Sequence, residues 1–243
     1  MNYSITLTNK CNLHCSYCYL NDGRKNGEFV ATMDEIDSIL TILPPGVLEP
    51  IGGEMFMFPD ILEYIFTKYK NKFEFEITTN CMVYNTRVEQ MIKNYVRRVK
   101  VSLDSPATME KQRFGSNIEQ AIRYAKKLSR IKPTTVSSVI TPENVGLIKE
   151  TFDFYCIDNG FDSILFEVDE QSMTSHLDEY EVEMSRLIDS YKWGNKSILN
   201  FSRPTFQKKT EYFNNICVDF FVEGDMDTPK RRINKRLKER YNK

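Results

Sequence analysis

The chain has 243 residues, 41% of them hydrophobic and 28% charged, enough for one sizeable α/β core. Its 33 Lys and Arg against 34 Asp and Glu give a net charge of −1, with no electrostatic drive towards nucleic acid or anionic membrane. No run approaches the roughly 20 apolar residues of a membrane span and no charged-then-apolar leader opens the sequence, so a cytoplasmic protein is expected.

The first apolar run, Tyr3 to Leu7, reads as a strand and leads into Cys11-Asn-Leu-His-Cys15-Ser-Tyr-Cys18. Three cysteines at C-x3-C-x2-C spacing on one loop can turn their thiolates towards one centre. A reducing compartment and a core of this size argue against a disulfide framework. A structural zinc site takes four Cys or His ligands, and His14, lying between Cys11 and Cys15, is an awkward fourth. Iron–sulfur clusters are held by thiolates, usually four. Three therefore suit a cluster with one iron open to another molecule, with zinc as the second reading.

Asn21 to Phe29 is polar and reads as a loop. Thr32-Met-Asp-Glu35 is a capping-box pattern, continued by Ile36, Ile39, Leu40 and Leu43 at helical spacing until Pro44-Pro45-Gly46. Val47 to Ile51 is a short strand ending in Gly52-Gly53-Glu54. A helical stripe from Ile61 to Tyr69, a strand from Phe73 to Thr79 and a helix from Thr86 to Tyr95 follow. Val99 to Leu103 is a strand ending in Asp104-Ser105-Pro106. Then come a helix over Asn117 to Leu128, a strand over Thr135 to Ile140, a helix over Val145 to Tyr155 and a strand over Ser163 to Val168. Six strands alternating with helices predict a parallel sheet with right-handed crossovers. A parallel barrel carries its chemistry at the carboxyl ends of its strands. The cysteine loop, Gly52-Gly53-Glu54, Thr78-Thr79-Asn80, Asp104 and Glu167 to Asp169 all fall there.

Past residue 170 the pattern loosens. His176 to Tyr191 has a helical stripe, Lys192 to Thr210 has no clear period, and Cys217 to Phe221 with Val222-Glu-Gly-Asp225 reads as a strand and turn of a hairpin. Lys230 to Lys243 is strongly basic, either a solvated helix end or a stretch able to attract a phosphate backbone. The expected organisation is a core over 1–170, a cap or substrate-side extension over 171–229 and a basic tail over 230–243.

The pattern C-x3-C-x-aromatic-C after the first strand, with Tyr17 as the aromatic, resembles the signature of radical S-adenosylmethionine (radical SAM) enzymes. The resemblance covers roughly residues 1–170. It implies an α/β fold, a partial (β/α)6 TIM-like barrel with a short C-terminal cap. In it Cys11, Cys15 and Cys18 would ligate three irons of a [4Fe–4S] cluster, and S-adenosylmethionine would chelate the fourth. Gly52-Gly53-Glu54 resembles the segment that holds the methionine amino group; alone it would read as a turn and a surface charge. Ser102 resembles a fourth-strand polar residue that touches the cofactor, and Asp104, one strand period on, would face the same way or cap a helix or turn. Arg113 resembles an arginine that pairs with the cofactor carboxylate, a bidentate task suited to guanidinium, its alternative being an exposed loop residue. Thr79 and Asn80 resemble a pocket-lining Thr-Asn pair, with Cys81 where glycine is common. Tyr17 would lie against the adenine or serve as a core aromatic. Glu167 and Asp169 share a strand face and are candidates to meet substrate; with Glu170 they read alternatively as a solvated acidic loop.

The chemistry so implied is reductive cleavage of S-adenosylmethionine, with an electron from flavodoxin or ferredoxin. The resulting 5′-deoxyadenosyl radical abstracts a hydrogen atom from substrate. The core is most similar to peptide- and protein-modifying members, many of which carry a C-terminal SPASM or twitch extension with auxiliary clusters. Only Cys217 follows Cys156 here, so those clusters lack ligands, and Cys81 and Cys156 read as buried small hydrophobes. A peptide or protein substrate is expected. The alternatives are a nucleotide, tRNA or small metabolite, and, third, a non-enzymatic metal-binding or scaffold protein.

Overall fold

The computed structural model describes residues 1–21, 23 and 27–190, and the backbone of 197–198, 206–213 and 216–223. Six parallel strands form its centre: β1 (Asn2–Thr8), β3 (Gly46–Gly52), β4 (Phe73–Thr79), β5 (Val96–Ser102), β7 (Thr134–Ile140) and β8 (Ser163–Val168). The helices α1 (Met33–Leu40), α2 (Pro59–Tyr69), α3 (Thr86–Tyr95), α5 (Ile118–Ser129) and α6 (Ile148–Phe152) return the chain between them, which gives the expected partial (β/α)6 barrel. Two short pieces, β2 (His14–Cys15) and β6 (Arg113–Phe114), pair as a separate ribbon, and α4 (Met109–Gln112) precedes the latter.

Local chemistry explains the boundaries. Thr32 and Glu35 make the reciprocal capping box, Glu35 accepting from the Thr32 amide at 2.8 Å and Thr32 from the Glu35 amide at 3.3 Å. Pro59 occupies the first turn of α2, where no amide donor is required. Asn85 and Asn117 cap α3 and α5.

The two faces of the sheet differ in character. Tyr3, Ile5, Leu7, Phe75, Ile77, Val99, Val101 and Phe166 are buried in the apolar core shared with the helices. Phe66 of α2 and Phe75 of β4 meet with ring centroids 4.7 Å apart, and each such buried ring contributes about 2 to 3 kcal/mol. The alternate residues turn the other way, and Ser4, Glu49, Thr78, Lys100, Ser102 and Ser137 line a cavity inside the barrel.

Two elements differ from expectation. The helix over Val145 to Tyr155 is divided into a 3₁₀ turn (Val145–Leu147), α6 and a π-helical turn (Asp153–Asp158). The hairpin near Cys217 forms with the residues before it: β10 (Phe206–Phe213) pairs antiparallel with β11 (Ile216–Glu223), and β11 pairs antiparallel with β1. A ladder reads backbone position, so a segment without side-chain periodicity could still supply the partner. On the opposite edge β9 (Ser197–Ile198) lies parallel to β8, after α7 (Leu177–Ser190). The basic stretch 230–243 lies outside the described residues. Among them no helix is long and apolar enough to cross a membrane.

Candidate active site

The cysteine loop is held by backbone geometry. Leu13 is buried and anchors it, while Cys15 in β2 stands opposite Arg113 in β6. The Ser16 amide donates to the Gln112 carbonyl at 2.8 Å, and Asn21 Nδ2 donates to the Cys15 carbonyl at 3.0 Å. Cys11, Cys15 and Cys18 are half-buried thiols on the wall of one cavity of about 650 Å³. The Leu13 amide and Asn80 Nδ2 both donate to Cys11 Sγ, at 3.4 and 3.7 Å. Donors aimed at sulfur favour the thiolate, the form that iron–sulfur clusters require. His14 is exposed and is not part of this wall. Among the described residues no group of three or more His, Cys, Asp and Glu could hold a single metal ion.

Gly52-Gly53-Glu54 closes against that loop. A Cβ on Gly53 would stand 1.8 Å from the Lys10 carbonyl oxygen and 2.9 Å from the Cys11 nitrogen. The Gly53 amide donates to Thr8 O at 2.9 Å and the Glu54 amide to Lys10 O at 3.0 Å. Glu54 is 1% exposed. Its Oε1 accepts from the Phe56 amide at 3.0 Å and from Thr79 Oγ1 at 3.1 Å, and its Oε2 accepts from the Asn80 amide at 2.7 Å. Thr79 and Asn80 thus join Glu54 at the cavity wall. Cys81 follows at a left-handed φ of 60°, which costs a residue with a Cβ about 1 kcal/mol, and Thr79 Oγ1 accepts from its amide.

Burial pushes the Glu54 carboxyl up to about 7, against the pull of its three hydrogen bonds. Because this value exceeds the ordinary 4.5, the group's contribution to folding is most favourable below that pH. It is lost as pH rises to about 7, a fall of roughly 3 kcal/mol. Urea unfolding of the cofactor-free chain between these pH values should show this slope, and Glu54→Gln should remove it. An unchanged slope in the variant would assign the effect elsewhere.

Asp104 departs from expectation. Strand β5 ends at Ser102, so the alternation that would carry Asp104 to the cavity stops short of it. Its carboxylate is fully buried and does not line the cavity. It accepts from Arg113 Nε at 2.8 Å and Nη2 at 3.2 Å, from the Val139 amide at 2.9 Å and from the Tyr17 hydroxyl. Tyr155, in the π-helical turn, donates to the Asp104 carbonyl at 2.7 Å. Arg113 is not an exposed loop residue: it is 5% exposed, lines the cavity, and sits 5.5 Å over the Tyr17 ring. Tyr17 and Ser102 line the same wall. Neither Tyr155 nor the β2–β6 ribbon was legible beforehand, since one contact is long-range and the other spans only two residues per strand.

Deeper inside, Lys100 Nζ lies 2.7 Å from Glu49 Oε1 and 2.8 Å from Oε2. Glu49 also accepts from the Thr78 hydroxyl and, at 3.4 Å, from Ser4. Burial works against the Lys100 charge, yet Glu49, and then Glu167, raise its pKa overall. A signal for this pair was present in the sequence: one charged residue sits within each of two otherwise largely apolar runs, Val47 to Ile51 and Val99 to Leu103. Glu167 and Asp169 both line the cavity, and Asp169 accepts from Ser172 Oγ at 2.6 Å.

A family model described as the Radical SAM superfamily matches residues 5–155. An uncharacterised protein of Methanocaldococcus jannaschii, MJ0907, is 26% identical over 184 residues, covering 71% of this chain and 64% of that protein. A GTP 3′,8-cyclase of Clostridium botulinum is 28% identical over 150 residues, covering 56% of this chain and 46% of that enzyme. The chain thus spans about half to just under two thirds of the length of these relatives. Among solved structures, anSMEcpe with bound AdoMet matches with a TM-score of 0.65 at 16% identity, covering 77% of this chain and 59% of that one. SuiB of Streptococcus suis bound to the precursor peptide SuiA matches with a TM-score of 0.57 at 20% identity, covering 77% and 44%. At these identities the structural likeness speaks for the fold.

Proposed function

The chain belongs to the radical SAM superfamily, whose enzymes use S-adenosylmethionine and a [4Fe–4S] cluster, and on that premise we propose that it modifies a peptide or protein. The charge of the cavity carries this reading. Lys100 and Arg113 are the cationic side chains of its described wall, and each is already held by a carboxylate, Glu49 and Asp104. Glu167, Asp169 and Glu170 add negative charge. A nucleoside triphosphate calls for several cationic donors. An uncharged peptide segment does not. The likeness to a GTP 3′,8-cyclase sustains the nucleotide alternative.

In this proposal Cys11, Cys15 and Cys18, whose half-buried thiols stand on the wall of one cavity, hold three irons. When bound, the cluster and S-adenosylmethionine supply one-electron cleavage of a carbon–sulfur bond and, from it, removal of a hydrogen atom from substrate. The protein's own residues bind and orient. Arg113, fixed by Asp104, takes the cofactor carboxylate. Glu54 meets its ammonium, which recovers part of the cost of an ionised buried carboxylate. Thr79, Asn80, Ser102 and Tyr17 line the remaining wall, and Glu167 and Asp169 stand on the substrate side. Reduced flavodoxin or ferredoxin serves as the electron donor. The core over 1–170 carries the chemistry, and 171–229 completes the substrate side.

Peptides from cells grown in heavy water, offered to the reconstituted enzyme with S-adenosylmethionine and a reductant, should place deuterium in 5′-deoxyadenosine. Deuterated nucleotides should not, and a Cys15→Ala control should give no product. Deuterium drawn from nucleotides alone would reverse the assignment.

A further inference from the structure

Parallel barrels ordinarily fill their interior with layers of Val, Ile and Leu. This one instead places Ser4, Glu49, Thr78 and Lys100 together inside the sheet, on the wall of the same cavity as Glu167. A buried Lys–Glu pair is a poor stabilising device, because desolvation offsets most of its attraction and well-packed apolar residues do as well or better.

The hydrogen bonding is asymmetric. Glu49 accepts from Lys100 on Oε2, with Nζ 2.7 Å from Oε1 as well, and from the Thr78 and Ser4 hydroxyls. Its orientation is therefore fixed, and Lys100 is what it fixes. A lysine ammonium has three donors. Its contacts among the described residues are all to Glu49, one hydrogen bond to Oε2 and the ion-pair contact to Oε1, so at least one donor is left. That donor is on the wall of the cavity, where solvent meets it until a substrate acceptor displaces the solvent. An anionic acceptor there would be opposed by Glu49 and Glu167; an uncharged carbonyl oxygen would not.

We infer that Lys100, positioned by Glu49, is a substrate-contacting and specificity-determining residue that donates to an uncharged carbonyl of the substrate, in the first instance a peptide amide, with Glu167 available to accept an amide N–H. This inference rests on the peptide reading for the identity of that carbonyl, though not for the role of Lys100.

The test compares wild type with the double variant Glu49→Leu/Lys100→Met and the single variant Lys100→Arg, using the deuterated peptide and nucleotide mixtures. The double variant exchanges the pair for apolar residues of similar size, so it should melt at or above the wild-type temperature and bind S-adenosylmethionine as wild type does. Deuterium transfer from peptide should fall about a hundredfold, the scale expected when a substrate is misplaced by about an ångström. Lys100→Arg keeps charge and donor and should lose only about tenfold. Transfer at the wild-type level in the double variant would overturn the inference. So would its failure to fold, which would make the pair structural, or lost cofactor binding, which would place Lys100 in the cofactor site. If wild type draws deuterium only from nucleotides, the peptide reading falls, and the variant's transfer from nucleotides then decides the role of Lys100.

Discussion

Gly53→Ala is expected to strip the protein of most of its iron after anaerobic reconstitution. The added methyl would lie 1.8 Å from the Lys10 carbonyl oxygen and 2.3 Å from its carbon. Both are backbone atoms, so no side-chain rotation relieves the overlap. The end of β3 or the cysteine loop must shift, and either movement breaks the bonds from the Gly53 amide to Thr8 and from the Glu54 amide to Lys10. Cys11 is the residue next to the clash. Overpacking of this kind costs about 3 kcal/mol, which weakens the hold on the cluster roughly a hundredfold if it falls on the loop. Gly23→Ala is the control, because a Cβ there meets nothing within 4 Å. Equal iron and sulfide contents in the two variants would show that the contact of Gly53 with the loop is dispensable.

Asp104→Ala should be the most destabilising single change near the site. It leaves a guanidinium that is 5% exposed without its carboxylate, and it removes the acceptor for the Val139 amide and the Tyr17 hydroxyl. Breaking one side of a buried pair costs about 3 to 5 kcal/mol. The urea midpoint should fall accordingly while the slope of the transition stays constant. Asp104→Ala/Arg113→Met, which removes both charges, should regain a large part of that loss, and the size of the recovery measures the coupling. If Asp104→Ala unfolds within about 1 kcal/mol of wild type, the ion pair is solvated and Arg113 is not held by Asp104.

Much of the fold could be read from the residues because local signals agreed with one another. The apolar runs at Tyr3 to Leu7 and Phe73 to Thr79, the capping box at Thr32 and the break at Pro44-Pro45 are all local. So is the cysteine spacing, and the strand-end rule placed Gly53, Thr79 and Glu167 at one end of the barrel. What escaped was set by distance or by main-chain contact. Asp104 was expected on the cavity face because strand alternation was carried two residues past the point where β5 stops. The partner of β11 lacked a pattern because a ladder constrains backbone more than side chains. Lys100 and Glu49 stood in view as charges within apolar runs, but only the register between β3, β4 and β5 brings them to the same place.

The arrangement around Asp104 also bears on how the protein is made. The cysteine loop is complete once residue 18 has been synthesised, but the groups that shape it arrive late. Arg113 pairs with Cys15, Val139 donates to Asp104, and Tyr155 holds the Asp104 carbonyl. At about 5 to 20 residues per second, the ribosome needs roughly 7 to 27 s to pass from Cys18 to Tyr155. For that interval the three thiols are on a nascent chain without their support, open to oxidation and to stray metals. The cysteine loop therefore gains the contacts that shape it only when the last strands and helices of the barrel have been made.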